Sequence, residues 1–512
     1  MKTMLSFRLA CVVKWFLPLY LFTFLPLSLS AQDTTIQRGC RVGTPRPTGM
    51  MLHRGAPGGQ TKQVGGDFYH GERHQLTVLV EFNNRAFKGD ETATKVQWDK
   101  ILNVENLTEA PFKGSVHDYF LAQSYGTFHV TFDLQYVKVS GNAKKYASDN
   151  TDENSQYLVQ DIMEVLKTRN DINWSLYDWN GDGFVNQLLI IYAGHGMNDY
   201  SGNDLIWPHQ WWMSEHLKDG QSGVYCDPIP VTYNDKEYKV DCYCALAELT
   251  KNNDYGSFGT ICHEYTHCFG FPDFYYSSNN SSTSYVYGWD LMDNGNYNGS
   301  GYCPAGYSAH ERWLMGWLTP IELKEATTIT DMPSLVDEGK AYVIRNDGSE
   351  NEYYIVENRQ RTSWDTSLPG KGILVFHIDY STDQWIDLNS YVNNPNRQHY
   401  VLFHANNATS YSYWSYPYLN NNSLTNTSTP AATLWNTNSD GTKLMSKPLT
   451  NMSVTNGIAA FDFMGGATLM EAIHTELFTK DAVIYDLQGR RISSSEATKG
   501  IYIVNGHKVV IR

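Results

Sequence analysis

In the run His263-Glu264-Tyr265-Thr266-His267-Cys268-Phe269-Gly270-Phe271-Pro272-Asp273, two histidines stand four residues apart, with a glutamate directly after the first. On a helix that spacing puts both imidazoles on one face, where they can take one Zn²⁺ at about 2.0–2.1 Å. A zinc ion that does chemistry keeps one position open for water, and Glu264 beside it is the natural acceptor for that water's proton. Gly270 predicts the end of the helix, because glycine tolerates the left-handed conformation that turns a chain sharply. Pro272 forbids its resumption. The reversed chain then brings Asp273 back as the third ligand, giving His263, His267 and Asp273 around the metal. Two histidines and a glutamate alone are a weak signal; the glycine three residues on and a ligand three further make it an extended zinc site. Glu311, in Ala309-His310-Glu311-Arg312, is the rival third ligand.

A second constellation is Asp178-Trp179-Asn180-Gly181-Asp182-Gly183-Phe184-Val185-Asn186. Side-chain oxygens on Asp178, Asn180 and Asp182, a glycine at the tight turn, a carbonyl from Phe184 and a further oxygen on Asn186 make the first half of a Ca²⁺ loop. The bidentate glutamate that normally completes such a loop is missing, since Leu189 stands in its place. Such a calcium ion would tie the loop to a sheet and leave the zinc chemistry alone. Tyr297 and Tyr302 offer phenols that could stabilise an oxyanion near the metal. Cys40, in Arg38-Gly39-Cys40-Arg41, could close the open zinc position as a thiolate and keep the site silent.

These side chains must be held by ordered elements. Leu76–Phe82 reads as a strand, Ser115–Phe120 as a helix closing near Gly126, and Leu188–Ala193 as a buried central strand. Beyond Pro320 the pattern turns to short alternating runs such as Tyr353–Glu357 and Gly372–Ile378, with a turn-rich stretch from Asn393 to Asn456. The chain starts with Lys2 and Arg8, an apolar run from Trp15 to Leu29 and the small residues Ser28, Ser30 and Ala31, which together read as a secretory signal. That run is too short to span a bilayer stably. Of the 8 cysteines, Cys11 would leave with this segment. Cys226, Cys242, Cys244, Cys262, Cys268 and Cys303 are then expected to form up to three bridges. The formal net charge of −15 gives no basic field for nucleic acid, and 41% hydrophobic residues suffice for folded cores.

The sequence resembles the immune inhibitor A group of secreted bacterial metallopeptidases, within the metzincin-like proteases. Besides the zinc motif, the resemblance rests on Tyr287-Gly288-Trp289-Asp290-Leu291-Met292-Asp293-Asn294-Gly295, and on stretches at Ser115–Gly126, Asp178–Trp207, Pro304–Pro320 and Asn351–Asp379. It implies Asp273 as ligand, Met292 as the turn methionine, a structural calcium at Asp178–Asn186, and hydrolysis of extracellular protein or peptide substrates with Glu264 as general base. The last residues, with Ile484-Tyr485-Asp486-Leu487-Gln488-Gly489-Arg490 and Gly500-Ile501-Tyr502-Ile503, resemble the sorting domain of type IX secretion and imply passage across an outer membrane, to the cell surface or beyond, by that machinery.

The expected fold is therefore α+β. A signal (1–30) and a leader (31–71) precede a metzincin-like domain with a twisted mixed sheet and an active-site helix (72–325). An all-β domain (326–465) and a small C-terminal β-sandwich module (466–512) follow. Besides a carbohydrate- or mucin-binding module carrying a protease, with Tyr411–Tyr418 as stacking surface, the rival to a zinc endopeptidase is a non-catalytic adhesin or glycan-binding protein that keeps zinc for structure. Glu264 argues against it, since a structural zinc needs no carboxylate beside it.

Overall fold

The computed structural model describes residues 41–42, 65, 68–147, 154–200, 202–218, 223–256, 258–278, 281–381, 385, 392–408, 413–466, 483–493, 497, 500–504 and 507–511. The expected signal, Cys40 and most of the expected leader lie outside the described residues. The described residues belong to one compact unit, Arg38–Arg512.

Six strands make the first sheet: β1 (Arg41–Val42), β2 (Gly71–Glu81), β3 (Phe128–Lys138), β4 (Leu188–His195), β5 (His209–Trp212) and β6 (Cys242–Leu249), in the order β1-β5-β6-β4-β2-β3. All neighbours run parallel except β5 and β6, which are antiparallel. Strand β4 is a continuous apolar run because both its faces are covered: Leu189 and Ile191 face one core cluster, Leu188 and Ile190 the other.

Helices α1 (Glu91–Asn103), α2 (Val116–Gln123), α3 (Ser155–Leu166), α4 (Phe258–Cys268) and α5 (Ala309–Leu314) accompany this sheet. Their starts are legible in the sequence. The Asp90 side chain accepts from Ala93 N, and Ser115 with Asp118, like Ser308 with Glu311, closes a reciprocal capping box. Helix α4 carries His263, Glu264 and His267. Its Tyr265 hydroxyl donates to Gln75 Oε1 of β2 at 2.8 Å, and Gln187 Nε2, just before β4, stands 3.2 Å from the same hydroxyl. Gly259 lets α4 pack directly on the Asn296 backbone, since a Cβ there would meet Asn296 O at 1.8 Å.

Downstream, β7 (Ile321–Glu322), β8 (Ala341–Asn346), β9 (Ser349–Arg359), β10 (Gly372–Asp379) and β11 (Tyr400–Leu402) form a second sheet in that order, antiparallel apart from β7 with β8. A three-stranded antiparallel sheet is built from Thr327–Met332, Ile458–Phe463 and Leu449–Thr455. The hydrophobic core does not stop at residue 325: Tyr265, Met292 and Tyr307 share one cluster with Ile355, Phe376, Tyr400 and Trp414. Beyond it, residues 484–511 contribute one four-stranded antiparallel sheet.

The expected bridges among Cys226, Cys242, Cys244, Cys262, Cys268 and Cys303 are absent; all six are free thiols. Cys268 does lie against both Cys242 and Cys244. Burial pushes the Cys244, Cys262 and Cys268 thiols up, which keeps them protonated and unreactive. No helix among the described residues is long and apolar enough to cross a membrane.

Candidate metal centre

Helix α4 ends where glycine permits it. Gly270 adopts φ +93°, its N–H closes on His267 O at 2.9 Å, and the chain doubles back so that Asp273 faces the helix. His263 Nε2 and His267 Nε2 stand 3.1 Å apart, and Asp273 Oδ1 lies 3.2 and 3.3 Å from them. Two ligands of a tetrahedral ion, each about 2.05 Å from it, stand roughly 3.3 Å from each other. Among the described residues this is the one trio of His, Cys, Asp or Glu whose ligand atoms converge so closely.

The supports explain the aim of each ring. His263 Nδ1 meets Leu291 O at 2.8 Å and His267 Nδ1 meets Phe271 O at 2.7 Å. These bonds assign the ring protons to Nδ1 and turn both Nε2 lone pairs inward. The Tyr275 hydroxyl donates to Asp273 Oδ2 at 2.8 Å, leaving Oδ1 for the centre. All three residues are buried. Two bare nitrogens and a carboxylate oxygen crowded together in a dry site require a positive charge among them. With only protons to supply it, the demand falls on His263. Burial opposes a charged His263, but the Asp273 carboxylate outweighs it and lifts that imidazole to about 9. Burial likewise opposes the Asp273 carboxylate, but His267 and His263 outweigh it and hold Asp273 at about 2. The donor set fits a divalent cation of the nitrogen- and oxygen-loving kind.

Glu264 is fully buried on the same helix. Met292 is buried in the Tyr287–Gly295 turn, which reaches the ligand loop through Phe274 N donating to Met292 O at 2.9 Å. Tyr297 lies in the following helical turn, half-buried. The Tyr302 hydroxyl instead donates to Tyr255 O at 3.3 Å. Glu311, the rival ligand, spends one oxygen on Ser308 N at 2.7 Å and so caps its own helix; it is not part of the converging trio. His209 is held in a buried knot, its Nδ1 2.7 Å from Trp207 O and its Nε2 3.1 Å from both Ser155 Oγ and Tyr243 OH.

The Asp178–Asn186 loop keeps its turn, with Gly181 and Gly183 both at positive φ. Its oxygens mostly serve the loop itself: Asp178 Oδ2 accepts from Gly183 N at 3.1 Å, Asp182 Oδ1 from Phe184 N at 2.8 Å and Asn186 Oδ1 from Trp179 N at 2.6 Å. Asn180 Nδ2 donates to Asp182 Oδ2 at 2.9 Å, and Lys236 Nζ comes within 3.6 Å of Asp178 Oδ2. Asp178 Oδ1 is buried without a hydrogen-bond partner.

Sequence reasoning missed the supports. The carbonyls of Leu291 and Phe271 carry no residue signature. Tyr275, two residues beyond Asp273, was the findable one, as a phenol adjoining a ligand carboxylate.

No curated protein matches the chain. Residues 90–316 match the family described as immune inhibitor A peptidase M6, catalytic domain, a span that contains α4, the Asp273 loop and the Met292 turn. The match supports a metallopeptidase similar to immune inhibitor A, with protein as its class of substrate.

Proposed function

We propose that the chain is an exported zinc endopeptidase that hydrolyses peptide bonds of extracellular proteins. The observation that carries this reading is the convergence of His263 Nε2, His267 Nε2 and Asp273 Oδ1 at 3.1–3.3 Å, with both Nδ1 atoms already committed. Bound there, Zn²⁺ supplies a Lewis acid that polarises a peptide carbonyl and acidifies a water. Glu264, next to His263 and shielded from bulk solvent, takes the proton from the attacking water and returns it to the leaving amine. Asp273 and the two imidazoles hold the metal, and Tyr275 orients the carboxylate. Met292 gives the turn around Leu291 O its apolar packing. Tyr297, in the helical turn after Met292, and Tyr302, whose hydroxyl donates to Tyr255 O, are the two phenols proposed for the oxyanion.

Calcium at Asp178, Asn180, Asp182, Phe184 and Asn186 is supported by the orphaned, buried Asp178 Oδ1. Export rests on the basic, apolar and small-residue order at the N-terminus, and delivery by type IX machinery on the C-terminal motifs. A latent form held by the leader is supported by the pairing of Arg41 and Val42 with His209 and Gln210, which occupies the sheet edge where an extended peptide would add. Cys40 precedes Arg41 in the sequence.

Casein hydrolysis by the purified chain tests the reading. Cleavage should stop with a zinc chelator and return with added Zn²⁺. Cleavage indifferent to the chelator would contradict the zinc mechanism, and binding of glycans with no hydrolysis at all would replace the reading with the adhesin one.

A further inference from the structure

The two loops that aim the metal ligands are both gripped by the second sheet, which lies outside residues 90–316. Tyr400 of β11 stacks its ring on Phe274, the neighbour of Asp273, with centroids 4.0 Å apart and planes 24° off parallel. Its hydroxyl donates to Asp290 Oδ2 at 2.7 Å and stands 2.8 Å from Ser308 Oγ. Asp290 Oδ1 accepts from Met292 N at 2.8 Å, and the carbonyl between those two residues, Leu291 O, is the one that orients His263. Asn393 closes the bracket: its Nδ2 donates to Phe274 O at 2.7 Å and to Tyr400 O at 2.6 Å. Tyr400, Asn393, Phe274 and Asp290 are all fully buried. One side chain therefore touches the supports of two ligands, Asp273 through Phe274 and His263 through Asp290 and the Leu291 carbonyl.

We propose that Tyr400 is a positioning residue of the metal centre, so that the downstream sheet completes the site and is not a separable attachment. The inference rests on the peptidase reading of that site. Groups that hydrogen-bond a ligand directly change metal affinity by about 10–100-fold when removed, and Tyr400 acts on the residues that carry such groups. A residue that only filled the core would change stability and leave metal affinity alone.

The test uses the full chain as wild type, Tyr400→Phe and Tyr354→Phe. Tyr354, in β9, is a buried tyrosine of the same sheet whose hydroxyl donates to Thr433 O at 2.6 Å, in a third core cluster separate from the one that holds Phe274, Met292 and Tyr400. Zinc release to a colorimetric chelator, kcat and KM on one peptide, and thermal midpoints are measured for all three. Tyr400→Phe keeps the ring stack and loses only the hydroxyl. It should release zinc about 10–100-fold faster and lower kcat with KM little changed, while Tyr354→Phe loses stability and keeps wild-type zinc release. Wild-type release from Tyr400→Phe, or equally fast release from both variants, overturns the proposal.

Hydrogen exchange of the unmodified chain provides a second arm that needs no variant. Added zinc should slow exchange at residues 400–402 and leave 449–455 unchanged; equal exchange at 400–402 with and without zinc overturns the proposal. A wild type that binds zinc but cleaves nothing would defeat the peptidase reading, whereas the release and exchange arms would still decide Tyr400.

Discussion

Around His263, His267 and Asp273, every hydrogen-bonding atom not needed at the centre is already used: both Nδ1 atoms by carbonyls and Asp273 Oδ2 by Tyr275. Around Asp178, Asn180, Asp182 and Asn186 the oxygens bond their own loop, and a single orphan, Asp178 Oδ1, is left over. The first arrangement is poorly satisfied until a cation arrives; the second is nearly satisfied alone. The difference separates two uses of a metal. A site assembled by distant elements and kept dry spends folding energy to aim lone pairs, which is what a reactive ion needs. A loop that already bonds itself would gain stability from an ion and little else.

That contrast sets the order of expected effects. Glu264→Ala should lower kcat/KM by about 10²–10⁴-fold, the usual scale for a general base, with zinc content unchanged; peptide hydrolysis beside metal analysis checks it. Tyr275→Phe should weaken zinc binding by about 10–100-fold, seen in competition with a chelator of known affinity. At the Asp178 loop, calcium at a hundred times its dissociation constant should stabilise the wild type by about 2.7 kcal/mol. Asp178→Asn should remove that calcium-dependent rise in thermal midpoint and leave kcat alone. Loss of hydrolysis in Asp178→Asn would break the contrast between the two sites.

The smallest effect concerns the turn beside the ligands. Burial holds the Asp290 carboxyl up at about 7. An acid raised by folding binds its proton more tightly in the folded state. Its contribution to stability is therefore full below the ordinary carboxylate range near 4 and is lost as pH climbs through about 7. Asp290→Asn should flatten that decline, as urea unfolding at several pH values across the window would show.

Much of the centre was legible because its signal is local. The i,i+4 histidines, Gly270 and Pro272 each have one mechanical meaning, and together they bring Asp273 to the rings. The buried strand Leu188–Ala193 and the capping residues Ser115 and Ser308 were readable for the same reason. What escaped was non-local. Tyr400 reaches Phe274 and Asp290 across the junction of two sheets, and no periodicity marks one tyrosine among the 35 in the chain. Composition also favoured disulfides, yet Cys226, Cys262 and Cys303 are buried at separate points in the fold, and Cys242, Cys244 and Cys268 meet as thiols.

The most direct measurement is a zinc titration of the metal-stripped full chain, reading bound metal and peptide hydrolysis together in wild type and Asp273→Ala. Hydrolysis should be nil without metal, rise in step with the first equivalent in wild type and then level off, while Asp273→Ala stays inactive at that occupancy. Wild-type hydrolysis before any metal is returned, or full activity of Asp273→Ala at one equivalent, would contradict a metal centre built from His263, His267 and Asp273.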